Sequence, residues 1–378
     1  MKAAVITGVI AGMVFSGASL AQSASDTSPP LPDYVATMQS LDKNGVPIDP
    51  TTTVIHHDGM FRSETRWDGL TSFGYGPDRK DPVLRWSRQT DGEITQMELI
   101  GSGQKLDATV ADVSRPLAER STVAGQDCLW RETVEKAPPL GSIEPGELNC
   151  VTDDGIVIET KLLAGESVPI YHTRLASLER RAVTSSELRP PQEILSPDFW
   201  LRPIRSHEPD PSRPDFEMTL ESPAGINVRL LRHFPWRYEE SRGRNGTIHT
   251  IIQNELDDQG IWYRQSSGDR RITAWRSSER ESPSVQAGQT TGKVSLGKTD
   301  TILGETCEWF DLVPHETHGE NQACLTQDGI PLKEEVRIKV STTSYTATSF
   351  RRRPVDFSEM RLPSALFPPA EWGLPALQ

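Results

Sequence analysis

Cys150-Val151-Thr152-Asp153-Asp154-Gly155-Ile156 returns later in the chain as Cys324-Leu325-Thr326-Gln327-Asp328-Gly329-Ile330. A cysteine, a Thr-x-Asp-Gly turn and an isoleucine at one spacing read as a strand end, a tight turn and the next strand. Outward from this stretch the agreement continues in both directions. Upstream, Gly125-x-x-Cys128-x-Trp130 matches Gly304-x-x-Cys307-x-Trp309. Trp86-Ser87-Arg88-Gln89 matches Trp262-Tyr263-Arg264-Gln265, and Ile94-Thr95 matches Ile272-Thr273. Further up, Phe61-Arg62-x-Glu64 is paired with Trp236-Arg237-x-Glu239, and Pro32-Asp33-Tyr34 with Pro214-Asp215-Phe216. Downstream, Arg180-Arg181-x-Val183 with Ser186-Glu187 matches Arg352-Arg353-x-Val355 with Ser358-Glu359, and Trp200 and Trp372 close the series. Pairs kept in one order from end to end read as an internal duplication.

The chain has 378 residues, a length that by itself points to two domains. The duplication makes them two copies, over 32–201 and 214–378. Between them 202–213 is a Pro-rich linker, with Pro203, Pro209 and Pro211 favouring extended chain. At the N-terminus, Lys2 and the apolar run Ala3 to Phe15 lead to Ser19-Leu20-Ala21, the pattern of a signal peptide over 1–21 cleaved after Ala21. A Ser/Pro-rich leader, expected to be disordered, follows over 22–31. No later run is long and apolar enough to span a bilayer as a helix. The expected location is the periplasm. The net charge of −13 argues against nucleic acid, which needs a basic footprint.

Four cysteines in an exported chain read as disulfides, and no Cys-x-x-Cys supports a metal. Since each copy carries two, the simplest pairing is Cys128–Cys150 and Cys307–Cys324.

Alternating polarity dominates the chain, as in half-buried antiparallel strands. Thr53 to His57, Asp58-Gly59 and Met60 to Trp67 read as a hairpin, and Val83 to Leu99 around Asp91-Gly92 as another. Two windows compete for helix. Thr247 to Gln259 is read as strand and turn because its counterpart holds Gly74, Gly76 and Pro77. Ile170 to Arg189 lacks breakers, but Ala182 aligns with Pro354, which a helix interior resists. Short helices are expected at Ala108 to Arg115 and around Gln192. The fold class is mainly β (α+β), with two curved antiparallel half-barrels that curl to protect their edges.

At Gly59-Met60-Phe61-Arg62-Ser63-Glu64 and Trp236-Arg237-Tyr238-Glu239 the sequence resembles periplasmic lipoprotein carriers of the LolA type and related LolA-like domains. These have an aromatic-Arg strand after an opening hairpin. The resemblance implies a half-open β-barrel whose concave apolar face, covered by short helices, holds acyl chains in the carriers. Two such domains would span nearly all of the mature chain. The carriers place an Arg-Pro latch just before this strand. Here Arg232 is followed by His233, with Pro235 two positions later, and the first copy has His57-Asp58, so the latch role is not carried over. The paired cysteines also depart from the carriers and look more like uncharacterised relatives, for which no activity is implied.

Catalytic patterns fail on context. Gly292-Lys293-Val294-Ser295-Leu296-Gly297-Lys298-Thr299 spells a phosphate loop, but its surroundings lack the required buried strand and following helix. Ser295-Leu296-Gly297-Lys298 has no companion motifs. His315-Glu316-Thr317-His318 lacks a third ligand and a counterpart in the first copy, so it reads as a solvated loop; His56-His57 reads as a strand end. No cofactor, metal or enzyme activity is expected. The aromatic and arginine positions Phe61, Arg62, Trp86, Trp130, Trp236, Arg237, Trp262 and Trp309 are candidates for core or for the lining of a groove. The resulting expectation is an exported, non-enzymatic protein binding a lipid, acyl chain or envelope protein in its concave faces. The alternative is a structural or sensor module with a plugged core, and a hydrolase ranks last.

Overall fold

The computed structural model describes residues 31–77, 83–102, 113–134, 146–164, 168–208, 210–267, 269–281, 293–312, 320–338 and 341–375. The expected signal peptide, the leader before Leu31 and the His315–His318 stretch lie outside them. The described residues fall into two compact units. One holds those up to Arg85 and from 113 to Arg189; the other holds 86–102 and 190–375.

The chain starts with β1 (Tyr34–Leu41), β2 (Pro47–His57), β3 (Met60–Trp67) and β4 (Leu70–Pro77). β5 (Leu84–Gln89) straddles the division, and β6 (Ile94–Ser102) belongs to the second unit. The first unit resumes with β7 (Val113–Val123), β8 (Gln126–Val134), β9 (Gly146–Val151), β10 (Val157–Ala164), β11 (Val168–Glu179) and the one-turn helix α1 (Ser185–Leu188). Its ladder runs β4-β3-β2-β1-β11-β10-β9-β8-β7, antiparallel throughout.

The second unit continues with α2 (Pro197–Leu201), β12 (Phe216–Glu221), β13 (Asn227–His233), β14 (Trp236–Arg242), β15 (Ile248–Asn254), β16 (Asp257–Gln265) and β17 (Asp269–Glu281). There follow β18 (Lys293–Ile302), β19 (Glu305–Leu312), β20 (Glu320–Leu325), β21 (Pro331–Ile338) and β22 (Ser341–Arg352). The order is β6-β17-β16-β15-β14-β13-β12-β22-β21-β20-β19-β18, again antiparallel. In the first unit β1 sits mid-ladder between β2 and β11, and in the second β12 sits between β13 and β22. The mainly β class expected from the sequence holds, as open sheets with few short helices.

These sheets are curled. Val228 and Leu230 on β13 share a core with Trp309 on β19, along with Met218, Leu220, Ile330 and Leu332. Five ladder steps of roughly 4.8 Å would hold β13 and β19 about 24 Å apart in a flat sheet. In the first unit Ala36 and Met38 of β1 likewise meet Trp130 of β8, four steps away.

The other face of the second unit's sheet is packed too. Trp236, Tyr238, Ile252, Ile261, Ile272 and Ala274 alternate with the concave set, and Met97 and Leu99 extend them onto β6. Short C-terminal turns cover this side: the Trp236 ring centroid lies 5.4 Å from that of Phe357. Gly101 leaves room for the Trp372 indole, which would lie 3.1 Å from a Cβ there.

The window Thr247 to Gln259 is strand, turn and strand, as β15 and β16. Ile170 to Arg189 is β11 followed by α1, and Gln192 opens a 3-10 turn. In the window Ala108 to Arg115 the described part, from Val113, is strand rather than helix; it pairs with β8 and ends at the edge of the ladder.

Candidate functional site

The residues that match between the two halves of the sequence build the frame. In the β9–β10 turn, Thr152 donates its hydroxyl to Asp154 at 2.6 Å and accepts the Ile156 N–H, while Arg180 donates Nε to Asp154 at 2.6 Å. In the β20–β21 turn, Thr326, Asp328, Ile330 and Arg352 repeat this arrangement, with Arg352 also reaching Glu305. Asp33 accepts from His57 and from the Val183 N–H; Asp215 accepts from His233 and from the Val355 N–H. Arg181 bridges Glu187 and Arg353 bridges Glu359, both at 2.6 Å, holding the first turns of the short helices. Cys128–Cys150 and Cys307–Cys324 are disulfides between neighbouring strands, with Cα atoms 5.4 and 5.3 Å apart.

The Arg352 guanidinium, with the Thr326 hydroxyl, holds the Asp328 carboxyl down to about 2, against a usual 3.8. A depressed folded value gives stability that is whole above 3.8 and lost as pH falls toward 2. Asp328→Asn is therefore expected to cost about 2 kcal/mol at pH 7. Urea unfolding of variant and wild type at stepped pH checks this: the difference should shrink from about pH 4 downward and fall to about 0.4 kcal/mol near pH 2. A difference unchanged over that range would show that the charge does not hold the turn.

The hairpins correct one sequence match. β2 passes to β3 through His57-Asp58-Gly59-Met60, and β13 to β14 through His233-Phe234-Pro235-Trp236, each with a two-residue loop. Met60 thus corresponds to Trp236, and Phe61 to Arg237, one residue out of phase with the pairing of Phe61-Arg62-x-Glu64 to Trp236-Arg237-x-Glu239. A slip of one residue exchanges sheet faces. Arg62 accordingly lies on the helix side, donating to the Glu187 carbonyl at 3.0 Å with its guanidinium 5.1 Å from the Phe73 ring centre. Arg237 lies on the concave side.

That side of the second unit holds a pocket of about 460 Å³. Strand register sets Leu230, Glu239, Ile251 and Trp262 in one row across β13–β16, and Val228, Ser241 and His249 in the next. From the opposite wall Glu334 and Tyr345, paired on β21 and β22, complete the lining. Arg237 donates to Glu239 at 3.0 Å. Burial pushes the Glu334 carboxyl up; Arg237 opposes this and Glu239 adds to it. The Tyr345 phenol is raised by burial, then by Glu239 and Glu334. Burial and Arg264 lower His249, which favours the neutral imidazole. The pocket is thus a trough of mixed character, with an apolar wall of Leu230, Val228, Ile251 and Trp262, three charged groups, and the polar side chains of Ser241, Asn245 and Thr247 at its end.

The first unit carries other chemistry at the same positions. Phe61 stands where Arg237 does, Ser63 for Glu239, Thr160 for Glu334 and Thr173 for Tyr345.

Of the eight groove or core candidates, the structure brings Arg237 and Trp262 together in the pocket lining. Trp130 and Trp309 are buried in the two disulfide-bearing core clusters, under Lys161 at 4.4 Å and under Lys298 and Lys333 at 5.3 and 5.2 Å. Trp86 is buried, Trp236 faces the helix side, and Phe61 is half-buried on the concave side of the first unit. Sequence reasoning missed Glu334 and Tyr345. The phosphate-loop motif lies, from Lys293 onward, in the extended strand β18, with no helix after it. Among the described residues no helix is long and apolar enough to cross a membrane.

No protein-family profile and no curated protein matches the sequence. Among solved structures, an uncharacterized conserved protein from Thermus thermophilus is similar at 12% identity and TM-score 0.29, over 43% of this chain and 86% of that one. MucB in complex with MucA(peri) is similar at 14% identity and TM-score 0.26, over 65% and 88%. PNGF-II is similar at 10% identity and TM-score 0.25, over 65% and 64%. At these values none of the neighbours assigns a function or a partner to this chain.

Proposed function

We propose that this is an exported, periplasmic, non-enzymatic protein made of two tandem copies of one LolA-like domain, over 32–201 and 214–378. Its second copy takes an apolar ligand, a lipid or acyl chain, into the concave face. The observation that carries this reading is the pocket on that face, walled by Leu220, Val228, Leu230, Ile251 and Trp262. Its size lies in the range of small-ligand sites, which combine an apolar wall with polar groups that orient the ligand. An apolar segment of an envelope protein would engage the same wall.

The first copy is better read as the alternative, a scaffold or interaction module. Ala36, Met38, Trp130, Ile156, Ile158 and Leu175 pack into one cluster on its concave side. Titrating the mature protein with a fluorescent alkyl probe tests the reading. One probe per chain should bind, and solvent extraction of freshly purified protein should release a co-purified amphiphile. No uptake and no extractable ligand would overturn it.

A further inference from the structure

The pocket's charges say more than that it is apolar. Two guanidinium groups lie in one column of the concave face, Arg232 and Arg237. Arg232 donates to the Pro214 carbonyl at 2.9 Å and sits 4.8 Å from the Phe216 ring centre. Arg237 is engaged by Glu239. Lys333, next to Glu334 in sequence, alternates to the other side of β21, where it bridges Glu335 at 3.2 Å. His249 is held toward its neutral form. Once Arg237 and Glu239 cancel, the charge that remains in the lining is the Glu334 carboxylate, beside the rings of Tyr345 and Trp262. An anionic head entering here meets the Glu334 carboxylate and an Arg237 already engaged by Glu239, while Arg264, paired with His249 across β15 and β16, stands outside the lining.

We propose that the pocket selects a single-chain amphiphile with a cationic head, an ammonium or guanidinium, seated between Glu239 and Glu334 against the faces of Trp262 and Tyr345. The alkyl body lies along Leu230, Val228 and Ile251. Carboxylates on partly buried walls attract a cation, and aromatic faces add to that attraction. Burial disfavours the ionised form of Glu334, and a docked cation restores it. The first copy, with Phe61, Ser63, Thr160 and Thr173 at these positions, has no such selectivity. The proposal rests on reading the pocket as a ligand site and adds the head-group chemistry.

The test uses the mature protein and three probes of one chain length, below micelle formation: an alkyltrimethylammonium, an alkyl carboxylate and the alkyl alcohol. By calorimetry the ammonium should bind at least about 10-fold tighter than the carboxylate, with the alcohol between them. Glu334→Gln should cut the ammonium-to-carboxylate ratio by about 10-fold, over and above any shift common to all three probes. Equal binding of ammonium and carboxylate, or a ratio unmoved by Glu334→Gln, would overturn the selectivity while the apolar pocket stands. An apolar peptide with one lysine that outcompetes the ammonium would overturn the amphiphile as ligand. Failure of all three probes to bind would instead strike at the pocket as a ligand site.

Discussion

The double variant Cys307→Ala/Cys324→Ala is expected to lose about 3 kcal/mol of unfolding free energy. The bridge closes a loop with a sequence separation of 17. Opening it returns that closure entropy to the unfolded chain, roughly as the logarithm of loop length. The folded side also loses, because both sulfurs are fully buried in the core with Trp309, Leu332 and Ile330. The staple does more than shorten a loop. Cys324 lies one residue from the end of the strand that turns, through Thr326 and Asp328, into the strand bearing Glu334. Loosening it should therefore also weaken binding in the pocket. Urea unfolding of oxidised wild type, reduced wild type and the double variant measures the effect. The reduced protein and the variant should both unfold at lower urea than the oxidised protein. A variant with the oxidised protein's midpoint and slope would show that the bridge adds nothing to stability. Cys128→Ala/Cys150→Ala should cost a similar amount, its separation being 22.

Much of the frame could be read in the sequence because a frame demands particular atoms at particular places. A turn in which Thr326 caps the Ile330 N–H and Asp328 receives Arg352 tolerates few replacements, and Thr-x-Asp-Gly-Ile stands at this turn in both units. The same holds for Asp33 and Asp215, each of which joins a strand histidine to the chain after the last strand. The half-buried strands announced themselves by alternation. The pairing of β6 with β17 did not, because a ladder between strands so far apart in sequence is set by facing surfaces rather than by any turn between them.

The hairpin slip has a physical origin too. An aromatic followed by arginine, then x-Glu, is a conspicuous pattern, and matching it placed Arg62 beside Arg237. The histidines His57 and His233, each bonded to its aspartate and each followed by a two-residue loop, fix the true phase. The pocket was hidden for the opposite reason from the frame. Its charged groups stand where the copies differ, so comparing the copies could not find them. One signal was present: in Leu332-x-Glu334-x-Val336 a carboxylate occupies an otherwise apolar column of an alternating strand. A charge at that place costs stability unless something compensates it, and a ligand is one such compensation.

Ser241→Trp is expected to abolish most ligand binding in the second unit while leaving it folded. Ser241 sits on β14 between Val228 and His249, half-buried on the concave face at the pocket wall. A strand position open on one side accepts an indole readily, and tryptophan suits β structure. The new ring occupies the space in which the ligand's chain would lie. Displacing about 100 Å² of the ligand's apolar contact costs about 2.5 kcal/mol, or roughly 70-fold in affinity. The first unit supplies the control. Thr65 holds the corresponding place on β3, where its hydroxyl meets that of Thr52 at 2.9 Å. Thr65→Trp should leave probe affinity within about 2-fold of wild type, because no pocket charge faces it and the ligand lies in the other copy. Titration of both variants with the alkyl probe decides the matter. Loss in Ser241→Trp alone assigns binding to the second copy. Equal loss in both would mean that the first copy's concave face holds ligand as well. No loss in Ser241→Trp would remove the pocket from the function of this protein.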